Sequence, residues 1–375
     1  RDFAIYDTDD SEAVVKELLS NLSATQHVSA SEARQTISGW KNARTSPAKA
    51  EAEAWTFVER LGFPVVLTWA MMDFLPATHP LLVGGIGTHG TRYGNFTVQN
   101  ADLVLAIGTR LDTHGAGPPA TFAREATKIV VDVDPAELKK FSRIGMAVQL
   151  LVQADAKDFL QRMDTALGEG TGTQDLGPWR QQIARWKAAY PICPPAYHEE
   201  ETVNPYVFIK TLARESTAKD VFVLDTGCAV AWMMQAFEFK DGQRCFHAFN
   251  NTPMGYGLPA SIGVSMALGG RPVTLVTGDG SFQMSLQELA TVIWHRLPIK
   301  IFLINNGGYS MIRQTQDQWL GGRHEASTVE SGLSTRRRTS CALGPGSGTP
   351  WTAPACRPIF KRRGRCRRRD RFRSF

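Results

Sequence analysis

Several things are missing from these 375 residues, and each absence excludes something. No apolar run reaches the roughly 20 residues needed to cross a bilayer, so no membrane role is expected. The opening residues, Arg-Asp-Phe-Ala-Ile-Tyr-Asp, carry acids and no apolar core, so no secretory signal is read there. The chain does not begin with methionine, which suggests a fragment. The six cysteines (Cys193, Cys228, Cys245, Cys341, Cys356 and Cys366) show neither a CxxC pair nor zinc-ligand spacing. Free thiols in a reducing, cytoplasmic compartment are the expected state. No internal repeat at solenoid periods is present.

What is present fits a globular α/β protein. Apolar residues make up 43%, an ordinary fraction, and the length suits about two domains. The formal charge of +6 misleads, because it comes from one end. Between Ser334 and Phe375 there are thirteen Lys or Arg against one Asp, so the rest is mildly acidic and offers no cue for nucleic acid. From about Thr335 apolar periodicity gives way to Arg runs among Gly, Pro, Ser and Thr. A basic arm is one reading of that composition and an out-of-frame end the favoured one. In either case the tail lacks the apolar content to offset ordering entropy.

The densest information lies in Val273–Gln316. Val273–Val276 reads as a buried parallel strand running into Gly278-Asp279-Gly280. Ser285-Leu-Gln-Glu288 matches a capping box, Leu286 to Leu297 follow helical spacing, and Pro298 stops the helix. Ile299–Ile304 is a second strand, ending at Asn305-Asn306. Strand ends of a right-handed βαβ unit share one edge, so Asp279 and Asn306 are expected to face one crevice. A carboxylate and an amide oxygen beside glycines suit Mg²⁺ on a diphosphate.

GDG, 24 residues, then NN, with strand–helix–strand between, resembles the thiamine diphosphate motif of the acetolactate synthase and pyruvate oxidase superfamily. Asn251–Gly263 is similar to the segment before that motif, and Gly85–Gly90, Ala101–Asp112 and Val131–Pro135 to the middle domain of acetolactate synthases. The fold so implied is two doubly wound parallel-sheet domains. The middle domain spans 1–170, with 25–50 atypical for lack of an apolar strand. A linker covers 171–200, the thiamine diphosphate and Mg²⁺ domain 201–330, and a disordered basic tail 331–375. By position the resemblance makes Asp279 and Asn306 side-chain metal ligands and Gly308 a backbone ligand. Gly280 and Ser281 become diphosphate donors, and Met254 the prop that bends the cofactor. It also implies a non-redox FAD in the middle domain, where His89, Arg110, Asp132 and Asp155 match by position. Capping and surface pairing explain the acids almost as well.

Along the chain, helices are expected over Ser11–Ser20, Ala52–Leu61 and 178–190, with strands at Val65–Trp69, Leu103–Ile107, Ile129–Val133 and Val221–Leu224. Asp134-Pro135, Asp155 and Asn204-Pro205 read as helix starts. Gly85-Ile-Gly-Thr-His-Gly90 matches GxGxxG, but Leu81–Val83, just after a proline, is a poor strand to precede it, so a plain glycine loop is the favoured reading.

The resemblance implies decarboxylation of a 2-oxo acid such as pyruvate and ligation to a second one, as in branched-chain amino acid biosynthesis. It also implies a homodimer or higher oligomer through the thiamine diphosphate domain. The family's catalytic glutamate sits on an amino-terminal domain that nothing here resembles, so no catalytic residue is assigned. The chain is expected to give a half-site without turnover. Cys228-Ala229 stand where the family has Gln-His, and Thr315 where it has a tryptophan shaping the acceptor pocket. Both departures count against acetolactate synthesis itself and leave thiamine diphosphate standing; another decarboxylase or oxidase, or a non-catalytic binding chain, is the alternative.

Overall fold

The computed structural model describes residues 55–167, 175–249, 251–328 and 330–331. The helix expected over Ser11–Ser20, the polar stretch 25–50, most of the glycine-rich linker and the tail past Ser331 lie outside those residues. Nine strands among the described residues form three sheets, and every pairing is parallel. β1 (Val65–Leu67) pairs with β2 (Leu82–Gly85), and β3 (Leu103–Ile107), β4 (Thr127–Asp132) and β5 (Leu150–Gln153) lie side by side in that order. β6 (Val221–Leu224), β7 (Arg244–Phe246), β8 (Val273–Gly278) and β9 (Ile299–Ile304) make the last sheet, ordered β7-β6-β8-β9.

Helices cover both faces of that last sheet, and the side-chain period of two sorts its residues between them. Phe222, Leu224 and Val276 pack with helices Pro205–Glu215 and Cys228–Ala236 on one face. Val223, Val273 and Leu275 pack with helix Gly257–Ala267 on the other. Because β7 and β8 flank β6 on opposite sides, the chain reverses its direction of travel between β6 and β8. A crevice therefore opens outside the carboxyl ends of these two strands, at residues 225–227 and 279–281.

Residues 69–77 fasten the first sheet to the last. Met72 is buried in the core around helix Cys228–Ala236, and the Ala77 amide donates to the Phe239 carbonyl at 2.8 Å. Asp73 accepts from Arg244 Nε at 3.1 Å and from the Cys245 amide at 2.8 Å, tying down the edge strand β7. Helix Gly177–Ala189 lies against the first part of the chain, with Trp186 and Tyr190 on Phe96.

Two local expectations are corrected. Leu82–Gly85 does form a strand after its proline, because β1 supplies a ladder: the Val65 amide donates to Leu81 O at 2.8 Å and the Ile86 amide to Leu67 O at 2.9 Å. The glycines after it serve close packing, since a Cβ at Gly87 or Gly90 would collide with the backbone of His114 or Ile86. Ser285 does not cap a helix; its hydroxyl is buried without a partner and Glu288 accepts from Thr291 Oγ1 instead. The segment begins as a short 3-10 turn, Leu286–Glu288, and the following helix covers only Leu289–Trp294. No helix among the described residues is long and apolar enough to cross a membrane.

Leu275 is fully buried between β6, β9 and helix Gly257–Ala267. Leu275→Ala should cost about 2–5 kcal/mol. Urea denaturation checks this as a lower midpoint at unchanged slope.

Candidate functional site

β8 and β9 pair in register from Val273↔Ile299 to Gly278↔Ile304, so the two strands end together. Asp279 follows one end directly and Asn306 lies two residues past the other. The Asp279 carboxylate is 5% exposed and lies beside the amides of Gly280, Gly307 and Gly308. Burial raises its pKa, while those amides, which favour the charged form, pull it down. One oxygen, Oδ2, is buried with no partner. Asn305 and Asn306 are exposed, and Asn305 Oδ1 accepts from the Gly307 amide at 3.0 Å.

Glycine is required at several points around this carboxylate. Gly307 has φ +74°, in the left-handed region. A Cβ on Gly280 would collide with the Tyr309 ring, and one on Gly308 with the Ser327 carbonyl. Tyr309 thus lies flush against the backbone beside Asp279; burial and the Asp279 charge raise its phenol pKa. Ser281 is buried in the same turn.

The Asn306–Tyr309 loop is held from outside by a segment the sequence did not single out. Gly308 bridges to Thr328 in antiparallel fashion, with the Tyr309 amide donating to the Ser327 carbonyl at 3.0 Å. The Thr328 amide donates to Ser331 Oγ at 3.0 Å. Buried Ser327 donates to Gln316 Oε1 at 2.5 Å, which ties this clasp to helix Ser310–Trp319.

On the β6 side, Asp225 is 1% exposed and binds the chain leading into helix Gly257–Ala267. Met254 sits in that stretch, 38% exposed. Cys228 and Ala229 open helix Cys228–Ala236, and Thr315 bonds its own helix at the Met311 carbonyl, 3.0 Å away.

The other position-matched residues have local employment. Arg110 pairs with Glu137 at 2.6 Å. Asp132 is buried and accepts from the Asp134 amide at 2.9 Å at the end of β4, and Asp155 accepts from the Lys157 amide at 2.9 Å, as a helix cap does. His89 belongs to a group of rings around Trp69, whose indole stacks on His114 at 4.9 Å and lies 6.3 Å from His89 and 5.9 Å from His247. His247 Nε2 meets the Trp69 carbonyl at 3.0 Å, and its Nδ1 is buried without a partner. These rings are far apart in sequence, and no spacing rule brings them together.

Among the described residues no cluster of three or more His, Cys, Asp or Glu could hold a metal. A metal at the β8–β9 edge would have one carboxylate, an amide oxygen and a carbonyl, an all-oxygen set that suits Mg²⁺ and not zinc. The unpartnered, desolvated Oδ2 of Asp279 fits such a cation, which would compensate the buried charge.

Comparisons with known proteins identify the family. The profile of the central domain of thiamine pyrophosphate enzymes matches residues 41–163, and that of their C-terminal TPP binding domain matches residues 225–338. The acetolactate synthase isozyme 3 large subunit of Escherichia coli K12 is 33% identical over 277 residues, 73% of this chain and 47% of that protein. The acetolactate synthase large subunit of Cyanidium caldarium is 35% identical over 287 residues, 76% of this chain and 48% of that protein. The large subunit from Corynebacterium glutamicum is 33% identical over 76% of this chain and 45% of its own length. The chain thus spans about half the length of these relatives.

Burial lowers the pKa of His247, and burial together with neighbouring His114 lowers that of His89. The unfolded chain therefore takes up protons first as the pH falls. Stability contributed by these neutral rings is complete above 6.5, the ordinary histidine value, and is lost as the pH drops through it toward the folded values. Denaturation midpoints at pH about 7.5 and about 5.5 should show this loss, with a smaller fall in a His89→Gln/His247→Gln variant.

Proposed function

We infer that this chain, which belongs to the thiamine pyrophosphate enzyme family, holds the Mg²⁺-bound diphosphate of thiamine pyrophosphate at the β8–β9 edge. The observation that carries this reading is Asp279: a buried carboxylate beside the amides of the adjoining loop, with one oxygen left for a cation. Asp279 Oδ2, the Asn306 side chain and the Gly308 carbonyl would ligate Mg²⁺. The amides of Gly280 and Ser281 would donate to the diphosphate, and Met254 would support the cofactor from the opposite wall of the crevice.

Bound there, thiamine pyrophosphate would supply the carbanion chemistry by which a 2-oxo acid loses CO₂ and its remainder joins a second carbonyl compound. That reaction is the one proposed for the intact protein, by similarity to the acetolactate synthases matched above. The residues named here bind and orient; none of them is assigned a proton transfer. A second reading, a relative with a different 2-oxo acid pair, is favoured by Thr315. It is a small side chain turned to its own helix where the family places a tryptophan. For FAD, the local pairing of Arg110, Asp132 and Asp155 adds no support.

Self-association through this part of the chain is also proposed. Trp294 is 82% exposed and Trp319 78%, on helices that flank β9 in sequence, and large apolar side chains of this kind commonly mark an interface. Sedimentation should show a dimer or larger species that a Trp294→Lys/Trp319→Lys variant dissociates; a wild-type monomer overturns this proposal.

Calorimetric titration of the chain with thiamine pyrophosphate and Mg²⁺ tests the site. Binding is expected for the wild type and its loss for Asp279→Asn. Thermal melting of Asp279→Asn gives a second readout. The variant should lack the stabilisation that ligand and metal give the wild type. Equal binding by the two proteins would refute the assignment.

A further inference from the structure

Asp225 carries the second buried carboxylate of the crevice, and its surroundings are the opposite of those of Asp279. Every oxygen is used. Oδ1 accepts from the amides of Thr226 at 2.9 Å and Gly255 at 3.1 Å; Oδ2 accepts from the Gly257 amide at 3.0 Å and shares the Thr277 hydroxyl, 3.3 Å away, with the Gly278 carbonyl. These four donors are neutral and come from three places: the end of β6, the 253–257 stretch, and β8 two residues before Asp279. An ionised carboxylate is a pure acceptor with room for all four, whereas an amide side chain would turn an NH₂ group toward two of them.

The packing around this carboxylate is equally specific. A Cβ on Gly257 would lie 2.9 Å from Asp225 Oδ2 and 2.7 Å from Leu275 Cδ1, so only glycine lets the backbone reach the acid. Gly255 has φ +87°, and a Cβ there would lie 2.7 Å from Met284 Cβ. Between Pro253 and these pinned glycines stands Met254, more than a third exposed. A core methionine is located by its neighbours. An exposed one is located by its backbone, and here Asp225 locates the backbone.

We propose that Asp225 is a positioning residue that sets the 253–257 stretch, and Met254 with it, against the thiamine half of the cofactor. This rests on the reading given above, and it separates the crevice into two walls. The β8–β9 edge takes the diphosphate and metal, and the wall held by Asp225 takes the organic part. Thiamine pyrophosphate touches both walls, whereas inorganic pyrophosphate touches only the first.

The experiment uses the full chain and two probes, thiamine pyrophosphate and inorganic pyrophosphate, each titrated with Mg²⁺ in excess. Loss of hydrogen bonds to a buried charge should make Asp225→Asn bind thiamine pyrophosphate about tenfold more weakly, or worse. Its pyrophosphate affinity should stay within about twofold of wild type. Thr277→Val removes one donor without changing shape and should show the same selectivity at smaller size, which keeps the test open if Asp225→Asn does not fold. Equal weakening for both probes, or none for either, overturns the proposal. So does a wild-type chain that binds both probes equally well, since the second wall would then contribute nothing. Failure of the wild type to bind pyrophosphate at all would remove the diphosphate reading itself, and this inference with it.

Discussion

Taking a carboxylate out of water is costly unless its charge is met, and the last sheet is organised around meeting that of Asp279. The parallel register of β8 and β9 brings the Asn306–Tyr309 loop alongside the acid, where two amides of that loop favour its charged form. Each amide sits on a glycine: Gly307 for its left-handed backbone, Gly308 for its close approach to Ser327. Tyr309 then roofs Gly280, where no side chain fits. Compensation stops one oxygen short, at Oδ2.

The contrast with Asp225 sharpens this point. Both acids follow neighbouring parallel strands and both are buried. Asp225 has four donors for its oxygens and reads as part of the frame, whereas Asp279 is left with an empty acceptor and a pKa pushed up by burial. Burial alone would not distinguish a structural acid from a ligand-binding one; the count of donors does.

Much of this was legible in the order of residues because it is local. β6 and β9 coincide with the apolar runs Val221–Leu224 and Ile299–Ile304, and Asp134, Asp155 and Asn204 cap helices as their neighbours suggest. The pairing of Asp279 with the Asn306–Gly308 loop followed from one topological rule applied to two strand ends. What was missed is non-local. The acceptor role of Asp225 depends on residues 30 and more positions away, and the Asp73 contacts with β7 span over 170. Trp69 and the three rings around it come from four separate segments. Ser285 failed as a cap because the backbone tightened into a 3-10 turn, an outcome that a four-residue pattern does not contain.

The antiparallel bridge between Gly308 and Thr328 makes the Asn306–Tyr309 loop hostage to chain that comes after it. Ser327, Thr328 and Ser331 belong to no strand or helix of the sheet, yet they brace the loop that would ligate the metal. Engineering or natural variation of the carboxyl-terminal side can therefore start only past Ser331. An earlier stop codon or reading-frame change would leave every named ligand in place and still unbuckle the loop that presents them.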